Sequence, residues 1–392
     1  MTDQAPVSVA SAPDSHRADG RRHLLTVPST RLGFGQVAHH PLAVAVAAVV
    51  AAGSVGLILA AAAGAAPGAT ITALWEGMFG GNYAIGASLN VAATLMLVAT
   101  GFTIAHRAGL VNVGGEGQIC AGAIAATTIG TTLTGAPAAI TLPAVLIGAA
   151  AAGWLWAAIA AYLRVTRGTS EIITTLLLNF VGLAMVLLVV HEPALLRQPV
   201  TSSETLPQSE PLTAAAHLPL LGIERSPATI ALWIAVIAAI GTAILLRHTA
   251  LGTRLRAVGL NPDAASRLGL SVGRLRFLSL SSAGAFAGVA GGLLVATAPF
   301  VLAEGLSSGY GFSGLVVGLL ARGSLSAVVA VSLLLGFLVS GGINLQLAAN
   351  VPASTIAVVE SLMIVFIAGA AIWTRSVRRS KPDTTELAGA QR

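Results

Sequence analysis

Charge, cysteine and lysine are what this sequence has least of. Only 9% of its 392 residues are charged and 55% are hydrophobic, with a mean hydropathy of +0.85. A soluble domain carries roughly 25% charged residues. A core alone cannot absorb so much apolar surface, so lipid must cover part of it. The length would allow two or three soluble domains, but no polar stretch is long enough to build one. The single cysteine, Cys120, lies inside an apolar run, which excludes an intrachain disulfide and leaves Cys120 a small packing residue.

The only lysine, Lys381, sits near the C-terminus, and G-x-x-x-x-G-K-[ST] is absent, so the chain cannot itself be a P-loop ATPase. H-E-x-x-H and Cys/His clusters are missing too, and the eight histidines fall in tails, loops or at the ends of apolar runs, which leaves no metal centre. The G-L-S-S-G at Gly305–Gly309 lacks the strand–turn–helix setting of a hydrolase elbow. The G-F-S-G at Gly311–Gly314 is similar to the motif of rhomboid-type intramembrane proteases, but no histidine follows His248 to serve as base for Ser313. The chain therefore reads as no enzyme, with no catalytic residue, no metal and no cofactor of its own. The net charge of +6 could suggest nucleic acid; arginine on the cytoplasmic loops of a membrane protein accounts for it without such a partner.

What is present is a series of apolar runs. A span needs roughly 20 apolar residues, and ten runs qualify, at about 42–63, 83–106, 116–134, 138–162, 171–190, 228–246, 277–300, 305–321, 324–343 and 353–374. The first exceeds the apolar region of a cleaved signal peptide, although the small residues of 64–69 imitate a cleavage site. The eighth is short and Gly-rich. With the N-terminus in the cytoplasm and strict alternation, 19 of the 21 Lys and Arg fall inside, and only Arg197 and Arg225 fall outside. The expected fold class is all-α: a polytopic protein of the cytoplasmic membrane with about ten transmembrane helices. A cytoplasmic tail (1–41), read as disordered, precedes the membrane domain (42–374), and a second cytoplasmic tail (375–392) follows it. Runs two to five and seven to ten have similar lengths and start on opposite faces, as an inverted repeat requires.

Two loops are long. The outer one, about 191–227, is Pro-punctuated and acidic and reads as a connector or a docking surface. The inner one, 247–276, holds six arginines and the stretch G-L-N-P-D-A-A-S-R-L-G-L from Gly259. Asn261 suits an N-cap, Pro262 the first helical position, Asp263 the helix dipole and Gly269 the stop. A two-turn helix is expected, with Ala264, Ala265 and Leu268 as a small apolar face beside Arg267. So full a set of caps favours a rigid plug for a cytoplasmic partner over a plain connector.

Three more features stand inside the runs. Gly284, Gly288 and Gly292 repeat every four residues, which flattens one helix face for close packing. After the second run, G-L-V-N-V-G-G-E-G-Q (Gly109–Gln118) breaks the helix and sets Asn112, Glu116 and Gln118 beside the break. Irregular backbone at membrane depth is tolerated where it is buried in protein or lines a cavity; an interfacial turn is the alternative, with Glu116 at a helix N-terminus. Asn179 and Glu360 lie within runs and can serve helix association or line a path.

Taken together, the segments resemble the permease subunits of nucleoside-type ABC importers, a branch of the family that also holds ribose-type sugar permeases. Gly109–Gln118 resembles that branch's G-L-x-N-I-G-x-E-G-Q. E-I-I-T-T-L-L-L-N-F (Glu171–Phe180) resembles E-V-I-x-T-I-M-L-N-Y. R-A-V-G-L-N-P-D-A-A-S-R-L-G-L from Arg256 resembles the cytoplasmic coupling segment. Y-G-F-S-G-L-V-V-G-L-L-A-R from Tyr310 resembles G-F-x-G-I-A-V-A-L-L-G-R. The four blocks keep their order over about 84–374. Gly115, Ser313 and Ala321 depart from the family pattern.

The resemblance implies one half of a type II ABC importer fold. It implies a second related permease, most simply as a heterodimer, and a cytoplasmic ATPase holding ATP and Mg. It also implies an extracytoplasmic substrate-binding lipoprotein that delivers a nucleoside. Residues 261–269 would be the coupling helix on the ATPase, and Asn112, Glu116, Gln118 and Asn179 would line the pathway. A simple-sugar permease is the nearest alternative, and an ion-coupled secondary transporter, with Glu116, Glu171 and Glu360 as candidate carriers, is a more distant one.

Overall fold

The computed structural model describes residues 54–58, 61–62, 64–202, 205–349, 358 and 361. Both tails, most of the run at 42–63, nearly all of 353–374 and Glu360 lie outside the described residues. Among the described residues from 64 onward, eleven α-helices run in order: α1 (Pro67–Phe79), α2 (Asn82–Arg107), α3 (Gly115–Thr132), α4 (Ala138–Arg167), α5 (Glu171–His191), α6 (Ala231–His248), α7 (Ala250–Leu260), α8 (Pro262–Arg267), α9 (Val272–Val295), α10 (Tyr310–Ala321) and α11 (Leu325–Ala349). The only extended pairing among the described residues is three isolated bridges.

Six of these helices, α2, α4, α5, α6, α9 and α11, are long and apolar enough to cross a membrane. Of the ten spans expected, six are present as helices of that length among the described residues, and the runs at 42–63 and 353–374 lie largely outside them. α3 has 18 residues, but Glu116, Gln118 and four threonines dilute its hydropathy. α10 has only 12, because Gly305–Gly309 turns instead of extending the helix. The seventh run, placed at 277–300, is a helix over Val272–Val295; Pro299 and Phe300, the latter at φ 63°, continue as loop. α1 was not anticipated. Pro67 opens it, and it binds α11 through Asn344 Nδ2 to the Ala73 carbonyl (2.7 Å) and Ser340 Oγ to the Gly77 carbonyl (3.1 Å).

Burial orders the bundle. In α2 and α9 most residues of the apolar stretch are buried (72% and 67%), whereas α4, α5, α6 and α11 bury about a third or fewer. α2 and α9 are the inner helices, and the others present Ile147, Leu155, Leu177, Phe180 and Ile237 outward, as lipid contact requires. Where α9 crosses α4 and α3, small residues let the backbones meet. A Cβ on Gly288 would strike the Ala149 carbonyl, one on Gly284 the Gly153 carbonyl, and one on Gly291 the Ile119 carbonyl of α3.

The outer loop is no loose connector. Leu212, Ala216 and Leu218 are buried, and the loop bonds along the segment after α9: Ser209 N to Leu302 O, Leu212 N to Phe300 O and Leu218 N to Ala296 O, at 2.8–2.9 Å. His217 stacks on Phe300 at 3.6 Å. Together the two segments close one end of the bundle.

Candidate functional site

The helix break after α2 is where polar groups gather inside the apolar bundle. Gly109, at φ 76°, takes the chain out of α2, and α3 begins at Gly115. The five residues between need partners for their main-chain groups, since neither lipid nor helix supplies them. Asn112 and Gln118 pair amide to amide (2.9 and 3.0 Å), and Asn112 Oδ1 also accepts the Gly114 amide. Asn179, two turns into α5, accepts the Gly117 amide on Oδ1 (2.9 Å) and donates from Nδ2 to the Val113 carbonyl (2.8 Å). Thr175 accepts the Val113 amide (3.2 Å). Asn112, Gln118, Asn179 and Thr175 are all buried.

Glu116 completes the cluster from the other side. Its Oε1 accepts the amide of Gly311 at 3.1 Å, in the first turn of α10. Its Oε2 is buried with no hydrogen-bond partner among the described residues, and Ser307 and Phe312 lie beside the carboxylate. The N-termini of α3 and α10 therefore converge on one carboxylate, and the partial positive charge at each favours it there. Glycine makes the approach feasible. A Cβ on Gly115 would come within 2.9 Å of Gly311 Cα, and one on Gly182 within 2.6 Å of Gly117 Cα. A cavity of about 330 Å³ begins one turn further along α3, at Ile119 and Cys120, and runs between Leu183, Val186 and the 304–307 segment, with Ser307 in its wall.

The structure thus brings Asn112, Glu116, Gln118 and Asn179 into one cluster. Thr175 and Ser307 belong to it as well and were missed. Thr175 stands one turn before Asn179, a spacing that could have marked it; nothing in the local sequence of Ser307 ties it to residues near 116. Glu171 stands apart, paired with Arg164 at 3.1 Å. No group of histidines, cysteines and acids among the described residues could hold a metal.

The inner-loop segment expected to form a single helix forms differently. Two helices occupy the inner loop. α7 buries Leu255 and Val258, and α8 follows at once. Asn261 Oδ1 accepts the Ala264 amide (3.0 Å), Pro262 and Asp263 lie in the first turn, and Gly269 stops the helix at φ 80°. The helix ends at Arg267, one residue short, and its apolar face is divided. Ala265 is 2% exposed and packs into this chain's own core, while Ala264 and Leu268 point outward.

Comparison with known proteins finds related permeases. A family model described as "Branched-chain amino acid transport system / permease component" matches residues 84–368. The guanosine ABC transporter permease protein NupP of Bacillus subtilis is 31% identical over 342 residues, covering 83% of this chain and 93% of that protein. The nucleoside ABC transporter permease protein NupB of Lactococcus lactis is 30% identical, covering 75% and 82%. The glucose ABC transporter permease protein TsgB13 of Haloferax volcanii is 30% identical, covering 70% and 73%. No solved structure matches.

Proposed function

Since this chain belongs to the permease family of branched-chain amino acid transport systems, we propose that it is one membrane-spanning subunit of an ATP-driven importer of nucleosides. The observation that carries the passenger class is the Glu116 cluster. An anionic passenger would seek the two helix N-termini, but Glu116 already occupies them. What lines the adjoining cavity is the Ser307 hydroxyl, Glu304 and mostly apolar side chains, while the amides of Asn112, Gln118 and Asn179 are spent on holding the break behind it. That set suits a neutral molecule with hydroxyl and amide edges and an apolar ring face. The relatives named for guanosine and nucleosides support the same class.

A sugar would satisfy the hydroxyl-binding groups as well, and a glucose-named relative supports that second reading. The cavity favours the nucleoside, because Ile119, Leu183 and Val186 give a base apolar walls that a sugar does not need. An ion-coupled carrier has little support here. Such a carrier needs an available buried carboxylate; Glu171 is paired with Arg164 and Glu116 is held by α10, while Glu360 lies outside the described residues.

In this reading a second permease completes the pathway, an ATPase sits on the α7–α8 face, and an extracytoplasmic lipoprotein delivers the passenger. Both termini are cytoplasmic. Differential contacts of the ATPase in its two nucleotide states shift the bundle between inward- and outward-open forms. Reconstitution tests the reading. Vesicles holding this chain alone should take up no labelled guanosine under any ion gradient. Adding the sister permease, ATPase, binding protein and ATP should restore uptake, with excess nucleoside competing and excess glucose or ribose not. Gradient-driven uptake by this chain alone would refute the importer.

A further inference from the structure

We propose that the cytoplasmic end of α2 carries a cationic socket, formed by Arg107 and Arg256 beside Arg322, in which Arg107 and Arg256 grip a carboxylate-bearing segment of the ATPase. The proposal rests on the importer reading above and adds a contact separate from the α8 helix. The three arginines come from three distant parts of the chain, the ends of α2 and α10 and the body of α7. They line one cavity of about 210 Å³, with His106 and Leu260 on its wall, and no acidic residue lines it. Nε of Arg107 is buried without a hydrogen-bond partner, and neither Arg107 nor Arg256 has an ion pair among the described residues. Two unpaired guanidinium groups beside a third repel one another unless an anion sits between them. Guanidinium matches carboxylate in a two-bonded fork, which makes arginine the residue of choice for such an interface.

The position selects the anion's source. α2 is the most buried of the membrane-length helices, so its end lies in the middle of the cytoplasmic face rather than at the lipid-facing rim. This chain's own tails are poor occupants, since 1–41 holds four bases to three acids and 375–392 five bases to two acids. Leu260, on the cavity wall, is 77% exposed, and Leu268, at the end of the following helix α8, is 78% exposed, two apolar knobs that a seated protein would cover. A partner docked on Leu260 borders the socket. The socket is also fastened to the polar break. A Cβ on Gly259 would strike the Arg107 carbonyl, and one on Gly109 would lie 3.2 Å from Gly259 Cα, so the ends of α7 and α2 meet backbone to backbone. A pull on Arg256 is thereby delivered three residues from Asn112.

The test uses the assembled permease pair in lipid nanodiscs and measures the Kd of the ATPase across a salt series. Arg256 is exposed, so Arg256→Gln leaves packing untouched. It should weaken ATPase binding at least tenfold and flatten the salt dependence; Arg256→Lys should recover part of the loss, and Arg107→Gln combined with Arg256→Gln should lose more. The same losses should appear in purely zwitterionic lipid. A double variant within twofold of wild type would overturn the socket, as would a loss confined to anionic nanodiscs, which would assign the arginines to lipid headgroups. Failure of the wild-type pair to bind any ATPase would overturn the importer reading along with the socket. Equal binding by variants and a competent wild type would sink the socket alone.

Discussion

Glu116 and Gly311 stand 195 positions apart, yet the carboxyl group of one accepts the amide of the other at 3.1 Å, so the first turns of α3 and α10 share a single carboxyl group. Removing that acceptor leaves a buried amide unpaired, at a cost of about 1–3 kcal/mol. Glu116→Ala should lower the melting temperature of the purified permease and cut uptake by the assembled importer about tenfold or more. Glu116→Gln keeps an oxygen for Gly311 and should melt close to wild type. Equal melting and uptake for Glu116→Ala would show that the shared carboxyl group is incidental.

Asn179 joins α5 to the break by two bonds, to the Gly117 amide and the Val113 carbonyl. Asn179→Leu has similar volume but orphans both groups, each worth about 1–3 kcal/mol. It should be among the most destabilising single changes in the bundle, read as loss of monodisperse protein on size exclusion. If it purifies and melts like wild type, the break is not held by α5.

Glycines can be sorted by what surrounds them. A Cβ on Gly288 meets the Ala149 carbonyl, whereas one on Gly241 in α6 meets nothing. Gly288→Ala should destabilise by about 1–3 kcal/mol through overpacking, and Gly241→Ala should be neutral or slightly stabilising, since alanine favours helix. Thermal melts of the pair decide it; equal shifts would contradict the packing assigned to α9.

The divided face of α8 separates folding from docking. Ala265→Arg forces a charge into this chain's own core and should reduce the yield of folded permease. Leu268→Arg, at a position 78% exposed, should leave folding intact and abolish transport-coupled ATP hydrolysis. Coupled hydrolysis that survives Leu268→Arg would remove the α8 surface from the ATPase interface.

Orientation can be read with single cysteines, because the native Cys120 is buried and should label poorly. Asp14→Cys and Thr385→Cys should react only with reagents that reach the cytoplasm, and Thr205→Cys with impermeant reagents outside. Outside labelling of either terminus would overturn the assignment of the arginines to the inside.

Much of this protein follows from the sequence. Hydropathy alone calls for a helical membrane protein, because helices are the structures that satisfy their own backbone inside lipid apart from closed barrels. The caps of α8 were legible too, since Asn261, Pro262 and Gly269 act on their nearest neighbours. Asn112, Glu116 and Gln118 stood out as polar groups beside a glycine-rich break. Their partners did not, nor did α1, whose bonds run to α11 some 270 positions away. Hydrogen bonding at the break depends on which backbones approach closely, and that depends on glycines meeting across helices, Gly115 on Gly311 and Gly182 on Gly117. Periodicity says which face of a helix is apolar; it does not say which other helix arrives there. So the sequence determined a polar break within an apolar bundle, and only the tertiary structure decided that Glu116 would answer α10, that Ala265 would turn inward, and that three arginines would meet at the end of α2.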